Sequence, residues 1–212
     1  MGLDMYLYDA LKVEGMAAEQ YGEATGAVFS HFFAEEPVSL TPEASGAVKA
    51  LSNAGLSFVS SKVTFSPKDR FLSFSLDEKI GVKGANVLLS ELKFRDEIGG
   101  FPQLLNEAAY WRKVNSIHAW FVDNVQDGTD DCGHYFVTKD HLLKLKNSLE
   151  LVLDGKLIGN AMAILPNTTG FFFGSQDYDD YYFGDLEYTL EAVNKALELD
   201  LEKRVLIYHS SW

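Results

Sequence analysis

The patterns of hydrophobic and polar residues at both ends of the chain are typical of β-strands. Residues 2–8 alternate loosely and predict a strand near the start. Residues 204–208 are rich in β-branched and other apolar side chains, and they predict a strand near the other end. We expect these two strands to pair in one sheet.

The clearest hairpin pattern lies between residues 59 and 76. Apolar residues alternate with polar ones on two arms, and residues 66–69 between the arms have the Ser-Pro-Lys-Asp composition of a turn. The apolar positions are Val59, Val63 and Phe65 on one arm, and Leu72, Phe74 and Leu76 on the other. This pattern predicts an antiparallel pair of strands that is covered on one side only.

Four segments are predicted to be helices. The first, residues 41–53, starts with Thr41 as cap and Pro42 at the first helical position and ends before Gly55. The other three are residues 103–125, residues 138–152 and a segment that follows Gly174-Ser175, and they show the three- and four-residue spacing of amphipathic helices. The apolar stripe of the second is Leu104, Ala108, Trp111, Val114, Phe121 and Val125; that of the third is Leu142, Leu145, Leu149 and Val152; that of the fourth is Tyr178, Tyr182, Leu186, Leu190, Val193 and Leu197. Residues 14–26 are predicted to be a connector and residues 81–100 mostly loop, and residues 27–33 fit a helix or a strand equally.

These elements predict an α+β fold, with a small, mainly antiparallel sheet packed against three or four helices. A chain of 212 residues with 47% hydrophobic residues is long enough for one sizeable core. We expect residues 1–212 to form a single domain, in which residues 10–100 are either part of that domain or an inserted lobe.

The net charge of −13 narrows the class of partner. Without a basic stripe, an acidic chain is not expected to bind nucleic acid. No apolar run approaches the roughly 20 residues that span a bilayer, and Met1-Gly2-Leu3-Asp4 is not typical of a signal peptide, so we expect a cytoplasmic protein without membrane contact. The single cysteine, Cys132, fits a small buried residue or a reactive thiol.

The first candidate site lies in residues 110–121. On a helix, Trp111, Asn115 and His118 would share one face, with Arg112 at its border. An indole, an amide and an imidazole on one face could hold a planar polar ligand, since the ring stacks while the others form hydrogen bonds. The alternative is that His118, which is in step with the apolar stripe, belongs to the core.

The second candidate is the acidic segment 127–134, Asp-Gly-Thr-Asp-Asp-Cys-Gly-His. Its spacing matches neither a calcium loop nor a zinc site, so we expect an acidic loop with no metal and no cofactor. If this loop folds back on the helix, His118 and Asp131 would form an acid–base pair, because a carboxylate fixes the tautomer of a histidine. Asp130 could serve in the same way.

The third candidate is residues 170–182, in which three phenylalanines between glycines lead into a helix. Asp177, Asp179 and Asp180 crowd the first turn and would repel a phosphate there. We therefore expect an aromatic core strand followed by a helix that caps itself. Tyr178 lies on the apolar stripe and Tyr181 lies off it, and both are candidate ligand-binding residues.

Several of these motifs together resemble an uncharacterised family of bacteriophage and prophage proteins. The matching pieces are Met-Gly-Leu-Asp-Met-Tyr at residues 1–6, the Tyr-Trp-Arg-Lys segment from Tyr110 with its following Asn115, Ile117, His118, Trp120, Phe121 and Val122, Asp-Asp-Cys-Gly at 130–133, Gly-Phe-Phe-Phe-Gly-Ser at 170–175 with its following Tyr178, Asp179 and Tyr182, and Ser-Ser-Trp at 210–212. The resemblance implies a phage context and no particular mechanism, and it leaves residues 10–100 unmatched.

Two hypotheses of different classes follow. The first is a phage accessory binding protein for host takeover or counter-defence, which binds a host protein or sequesters a nucleotide-like small molecule. Its pocket would be lined by Trp111, Asn115, His118 and residues 171–182. The alternative is a small hydrolase or nucleotide-modifying enzyme in which His118 is the base and Asp130 or Asp131 orients it. The chain contains no phosphate-binding loop, nucleophile elbow or His-Glu-x-x-His motif in favour of the enzyme.

Overall fold

The computed structural model describes residues 2–23, 105–170 and 172–212, together with the backbone of four short strands between residues 63 and 103. The chain divides into two compact units. One unit comprises residues 1–10 and 107–212, and the other comprises residues 11–106. Along the chain, the second unit thus lies between the two segments of the first.

The first unit is built on a four-stranded antiparallel sheet and four helices, in agreement with the predicted α+β class. The strands described are β1 (Asp4–Leu11), β2 (Val63–Phe65), β3 (Leu72–Phe74), β4 (Lys93–Phe94), β5 (Pro102–Gln103), β6 (Asn106–Arg112), β7 (His134–Val137) and β8 (Arg204–Ser211). The helices are α1 (Asn115–Val125), α2 (Lys139–Leu153), α3 (Ile158–Ile164) and α4 (Asp180–Leu197). The sheet order is β6-β1-β8-β7, so the predicted pairing of the first and last strands is confirmed.

The register of the last strand decides which of its side chains face the core. His134 of β7 is opposite His209 of β8, and Tyr135 is opposite Tyr208. Because side chains alternate along a strand, Tyr208 points to the opposite side of the sheet from His209. Tyr208 is fully buried, whereas His209 is partly exposed.

The core lies between one face of this sheet and the helices. The buried cluster includes residues of β1, β6 and β8 together with the apolar stripes of α1, α2 and α4, and α2 packs extensively against α4. Its central members are Met5, Leu7, Trp111, Phe121, Leu145, Leu149, Leu186, Val193 and Tyr208. No helix within the part of the chain that the structure describes is long and apolar enough to cross a membrane.

The predicted helix over residues 103–125 is wrong in its first half. Residues 106–112 form strand β6, and only Asn115–Val125 are helical. Lys113 between them has a φ of 62°, a left-handed conformation that no α-helix continues through. The apolar residues before it satisfied a three-to-four spacing, but Ala109 and Trp111 are also buried with the strand period of two. Pairing with β1 decides between the two patterns.

The other helix predictions in this unit are confirmed. Thr138 caps α2 by accepting a hydrogen bond from the backbone N–H of His141, and Gly155 follows its end with a φ of 71°. Asp179 caps α4 by accepting from the N–H of Tyr182. The short helix α3 was not predicted, since seven residues are too few for the spacing to be distinctive.

In the second unit, the backbone pairing of the predicted hairpin is confirmed, with Val63 opposite Phe74 and Phe65 opposite Leu72. The strands β4 and β5 pair where the pattern had predicted mostly loop. Within the predicted connector 14–26, residues 18–23 are helical. The predicted helix 41–53 and the apolar segment 27–33 lie outside the described residues.

Candidate functional site

A chain of side-chain hydrogen bonds is centred on His118 in the interior of the first unit. The imidazole is 1% exposed. Its Nδ1 lies 2.8 Å from the hydroxyl oxygen of Tyr208, and its Nε2 lies 3.0 Å from Oδ2 of Asp130. The ring of Phe173 covers it edge-on, with the ring centroids 5.2 Å apart. Both ring nitrogens of His118 are therefore occupied by protein partners.

Tyr208 keeps its proton in this arrangement. Burial raises the pKa of Tyr208 well above its usual value of 10, and the nearby negative charge of Asp130 raises it further. A neutral hydroxyl can donate to Nδ1 of His118, while the hydrogen on Nε2 is donated to the Asp130 carboxylate. This tautomer satisfies every hydrogen-bonding group of the imidazole.

Asp130 connects the buried imidazole to the surface. Its second oxygen, Oδ1, accepts a hydrogen bond from Nε1 of Trp212 at 3.1 Å, and the indole is 51% exposed. The predicted pairing of His118 with Asp131 is wrong. Asp131 instead accepts from the backbone N–H of Gly133 and from the hydroxyl of Tyr135, so it stabilises its own loop. Asp130, the alternative orienting residue, takes the place next to the histidine.

Asn115 fastens the segment 168–175 to the first turn of α1. Its Nδ2 donates to the carbonyl oxygens of Phe173 and Ser175, at 3.3 and 2.8 Å. Its Oδ1 accepts from the backbone N–H of Thr168 at 2.9 Å. The amide is buried, so these three bonds form away from most of the solvent. Asn115, a predicted ligand-binding residue, thus uses its amide to hold a loop of its own chain.

The segment 168–175, which Asn115 holds, exposes one aromatic side chain, that of Phe172, at a residue with an unusual backbone conformation. Phe172 has a φ of 64° and is 52% exposed, whereas Phe173 is buried against His118. Gly174 follows with a φ of 103°, and a Cβ there would lie 2.7 Å from the carbonyl oxygen of Lys113. Residues 172–179 contain no strand, so the predicted aromatic core strand is wrong. The glycine allows the close backbone approach that turns successive phenylalanines in different directions.

Two further predicted ligand-binding residues lie apart from His118, because β6 is a strand. Trp111 is 2% exposed and donates its Nε1–H to Oγ1 of Thr189, so it is a core residue. Arg112, the next residue along the strand, is exposed and lies 3.9 Å from Oδ1 of Asp4. Trp111, Asn115 and His118 therefore do not share a helix face, and the predicted stacking site on that face is wrong.

The two tyrosines of the third candidate segment also differ in environment. Tyr178 accepts a hydrogen bond from the backbone N–H of Asn167, and its ring packs edge-on against that of Tyr182. Tyr181 is 85% exposed on the first turn of α4. Its exposure leaves it available for recognition but does not connect it to the His118 network.

The arrangement has limited capacity for acid–base chemistry. A general base needs a nitrogen within hydrogen-bond reach of a substrate proton, and both nitrogens of His118 already have partners. Among the residues described, no three His, Cys, Asp or Glu side chains come together as ligands for a metal ion. Cys132 is partly exposed, with a φ of 58°, and therefore is not the fully buried residue that one interpretation expected.

The sequence missed Tyr208 and Trp212 as members of the network, whereas Phe173 lies in residues 171–182, which were predicted to lie beside His118. Tyr208 and Trp212 lie 90 and 82 residues from their partners His118 and Asp130, so no local spacing relates them.

Comparison of the chain with protein-family models, with curated proteins and with solved structures finds no match.

Proposed function

We propose that this chain is a binding protein, an accessory factor of a bacteriophage that engages a host protein in host takeover or counter-defence. Its contact surface is the aromatic face, by which we mean the exposed side chains of Phe172 and Trp212 together with the buried Phe173. The ring centroid of Phe173 lies 6.1 Å from that of Trp212, and Phe173 supports the indole from beneath. The resemblance of residues 1–6, 110–122 and 170–182 to phage and prophage proteins supports the biological setting.

One observation carries the proposal: Phe172 is displayed to solvent in a left-handed conformation. For a residue other than glycine this conformation costs roughly 1–2 kcal/mol. Such strain is concentrated at functional sites, where the surrounding structure maintains it. Here the three hydrogen bonds of Asn115 and the contact of Gly174 with Lys113 maintain it. A large apolar side chain presented at such a cost is typical of a recognition residue.

The His118 network supports binding over catalysis. It ties the segments that form the aromatic face to one another, since His118 holds Asp130, Asp130 holds the Trp212 indole, and Phe173 packs on His118. A rigid surface loses little side-chain freedom when a partner binds. In this proposal His118 positions the face and does not act on a substrate.

The sequence left two kinds of ligand open. The charged side chains near the aromatic face favour a protein over a nucleotide-like molecule. Asp130 lies beside the indole, and Asp177 lies in the segment that follows Phe173. Carboxylates at these places oppose the approach of a phosphate. An aromatic protein-binding site does not meet this penalty.

The proposal is tested with a photo-cross-linking amino acid, p-benzoylphenylalanine, placed at position 172 or at position 212 of the full chain in the host bacterium. Both positions are expected to give an adduct with the same protein. The adduct from position 172 should decrease when Trp212→Ala is added. Leu143 on α2 is the matched control, because its exposure of 46% is similar and it lies in another part of the first unit. Absence of adducts at both positions, or adducts from position 143 alone, would refute the proposed surface.

A further inference from the structure

The segments that meet around His118 contain no lysine or arginine. They are residues 114–138, 157–194 and 205–212, and they are joined by the hydrogen bonds of His118, Asn115 and Trp212. The first carries four carboxylates and the second carries six. The aromatic face is therefore formed by segments whose only ionised side chains at neutral pH, histidines aside, are negative.

Lys113, which precedes the first segment, lies close to the aromatic face. Its Cε is 3.2 Å from where a Cβ of Gly2 would be, and the carbonyl oxygen of Phe172 is 3.8 Å from that same point. Of the lysines that flank the second segment, Lys156 is paired with Glu187 at 2.8 Å. The ten carboxylates of the first two segments outnumber the lysine beside Phe172.

The rings themselves attract the same sign of ligand as the carboxylates. The face of an aromatic ring carries the negative part of its quadrupole, and among the aromatic side chains the indole binds cations best. Asp130 accepts the Nε1–H at the edge of the Trp212 indole, which places a carboxylate beside that ring. Ring and carboxylate would thus act together on an ammonium or guanidinium group.

We propose that the partner presents a segment rich in lysine and arginine to the aromatic face. This inference rests on the proposed function, because it names the chemistry of the partner at the same surface. The cations of the partner stack on Phe172 and Trp212, and the surrounding carboxylates steer the encounter and set the orientation.

Tryptophan fluorescence gives an assay, since Trp212 is the tryptophan that a bound peptide would contact, whereas Trp111 and Trp120 are buried and their emission should change little. The probes are a short peptide of Lys, Arg, Gly and Ser, the same peptide with Glu in place of every cation, and ATP. The basic peptide is expected to change the emission and to bind more weakly as salt is raised from about 0.15 M to about 1 M, where the screening length falls from about 8 to about 3 Å. The acidic peptide and ATP are expected to leave the emission unchanged.

Two pairs of variants locate the effect. Phe172→Ala is expected to weaken binding of the basic peptide roughly twofold to thirtyfold, through loss of one cation–ring contact. Phe172→Gly provides the same deletion without left-handed strain if the alanine variant folds poorly. Asp177→Asn is expected to weaken binding, whereas Glu202→Gln is not. Glu202 precedes the eight-residue strand β8 and is therefore roughly 23 Å or more from Trp212.

The outcomes separate this inference from the proposed function. If position 172 cross-links to a partner but the basic peptide does not bind, or binds no better than the acidic peptide or ATP, the cationic partner is refuted and the binding surface stands. If neither cross-linking nor peptide binding occurs, both proposals fail. Salt-independent binding of the basic peptide would also contradict the charge argument.

Discussion

Because the backbone of Phe172 is left-handed, we predict that glycine at this position gives a more stable protein than alanine. This is the reverse of the usual order of stability. The perturbation is a pair of variants, Phe172→Gly and Phe172→Ala. Both remove the ring and whatever area it buries, so their difference reports on the backbone alone. At most positions glycine is the less stable of the two, because it loses more conformational freedom on folding.

The magnitude follows from two opposing terms. A φ of 64° costs a residue with a Cβ roughly 1–2 kcal/mol, and glycine avoids this cost. The additional entropy that glycine loses on folding offsets roughly 0.5–1 kcal/mol of the advantage. We therefore expect Phe172→Gly to be more stable than Phe172→Ala by about 1 kcal/mol. Tyr181 is the control, because it is exposed in the first turn of α4, where glycine should be less stable than alanine by up to about 1 kcal/mol, the value for a helix interior.

The assay is urea unfolding followed by tryptophan fluorescence. All three tryptophans, at 111, 120 and 212, belong to the unit formed by residues 1–10 and 107–212, so their emission reports on that unit. Equal stabilities, or an alanine variant that is more stable than the glycine variant, would show that the conformation at position 172 is not strained. The principal support for a displayed recognition residue would then be lost.

Two other substitutions test the framework beneath the aromatic face. Tyr208→Phe leaves Nδ1 of His118 buried without a donor. We therefore expect a loss of roughly 1–2 kcal/mol in the free energy of unfolding, with the fold retained. A variant as stable as the parent would show that this hydrogen bond contributes nothing to stability. Asn115→Ala removes three hydrogen bonds, and we expect it to cost roughly 2–4 kcal/mol and to speed hydrogen exchange at the amide of Thr168. Unchanged exchange at Thr168 would mean that the segment is held by other contacts.

The sequence predicted the elements whose signals are local. The helix α2 has a capping threonine, a regular stripe of leucines and a terminal glycine, and these determine it without reference to the rest of the chain. The same holds for the paired strands β2 and β3, whose alternating apolar residues lie in one short stretch. The pairing of the first and last strands followed from the α+β class, since few other arrangements bury both.

The errors arose where a distant partner decides the structure. Residues 106–112 became a strand because β1 is available to pair with them, and their spacing alone did not reveal that partner. The interpretation of His118 as a ligand residue failed in a related way. Its partners Tyr208 and Asp130 fill both nitrogens, and Tyr208 comes from a strand near the other end of the sequence. The histidine pattern was correct in indicating a carboxylate partner, and of the two candidates that the sequence left open, Asp130 and Asp131, the structure selects Asp130.

The position of β8 within the sheet has a consequence for how the chain is made. This strand lies between β1 and β7, and it is synthesised after every other strand that the structure describes. Until it leaves the ribosome, β1 and β7 have no common neighbour, and their unpaired edges are open to other chains. A nascent or truncated polypeptide that ends before residue 204 should therefore aggregate or need a chaperone.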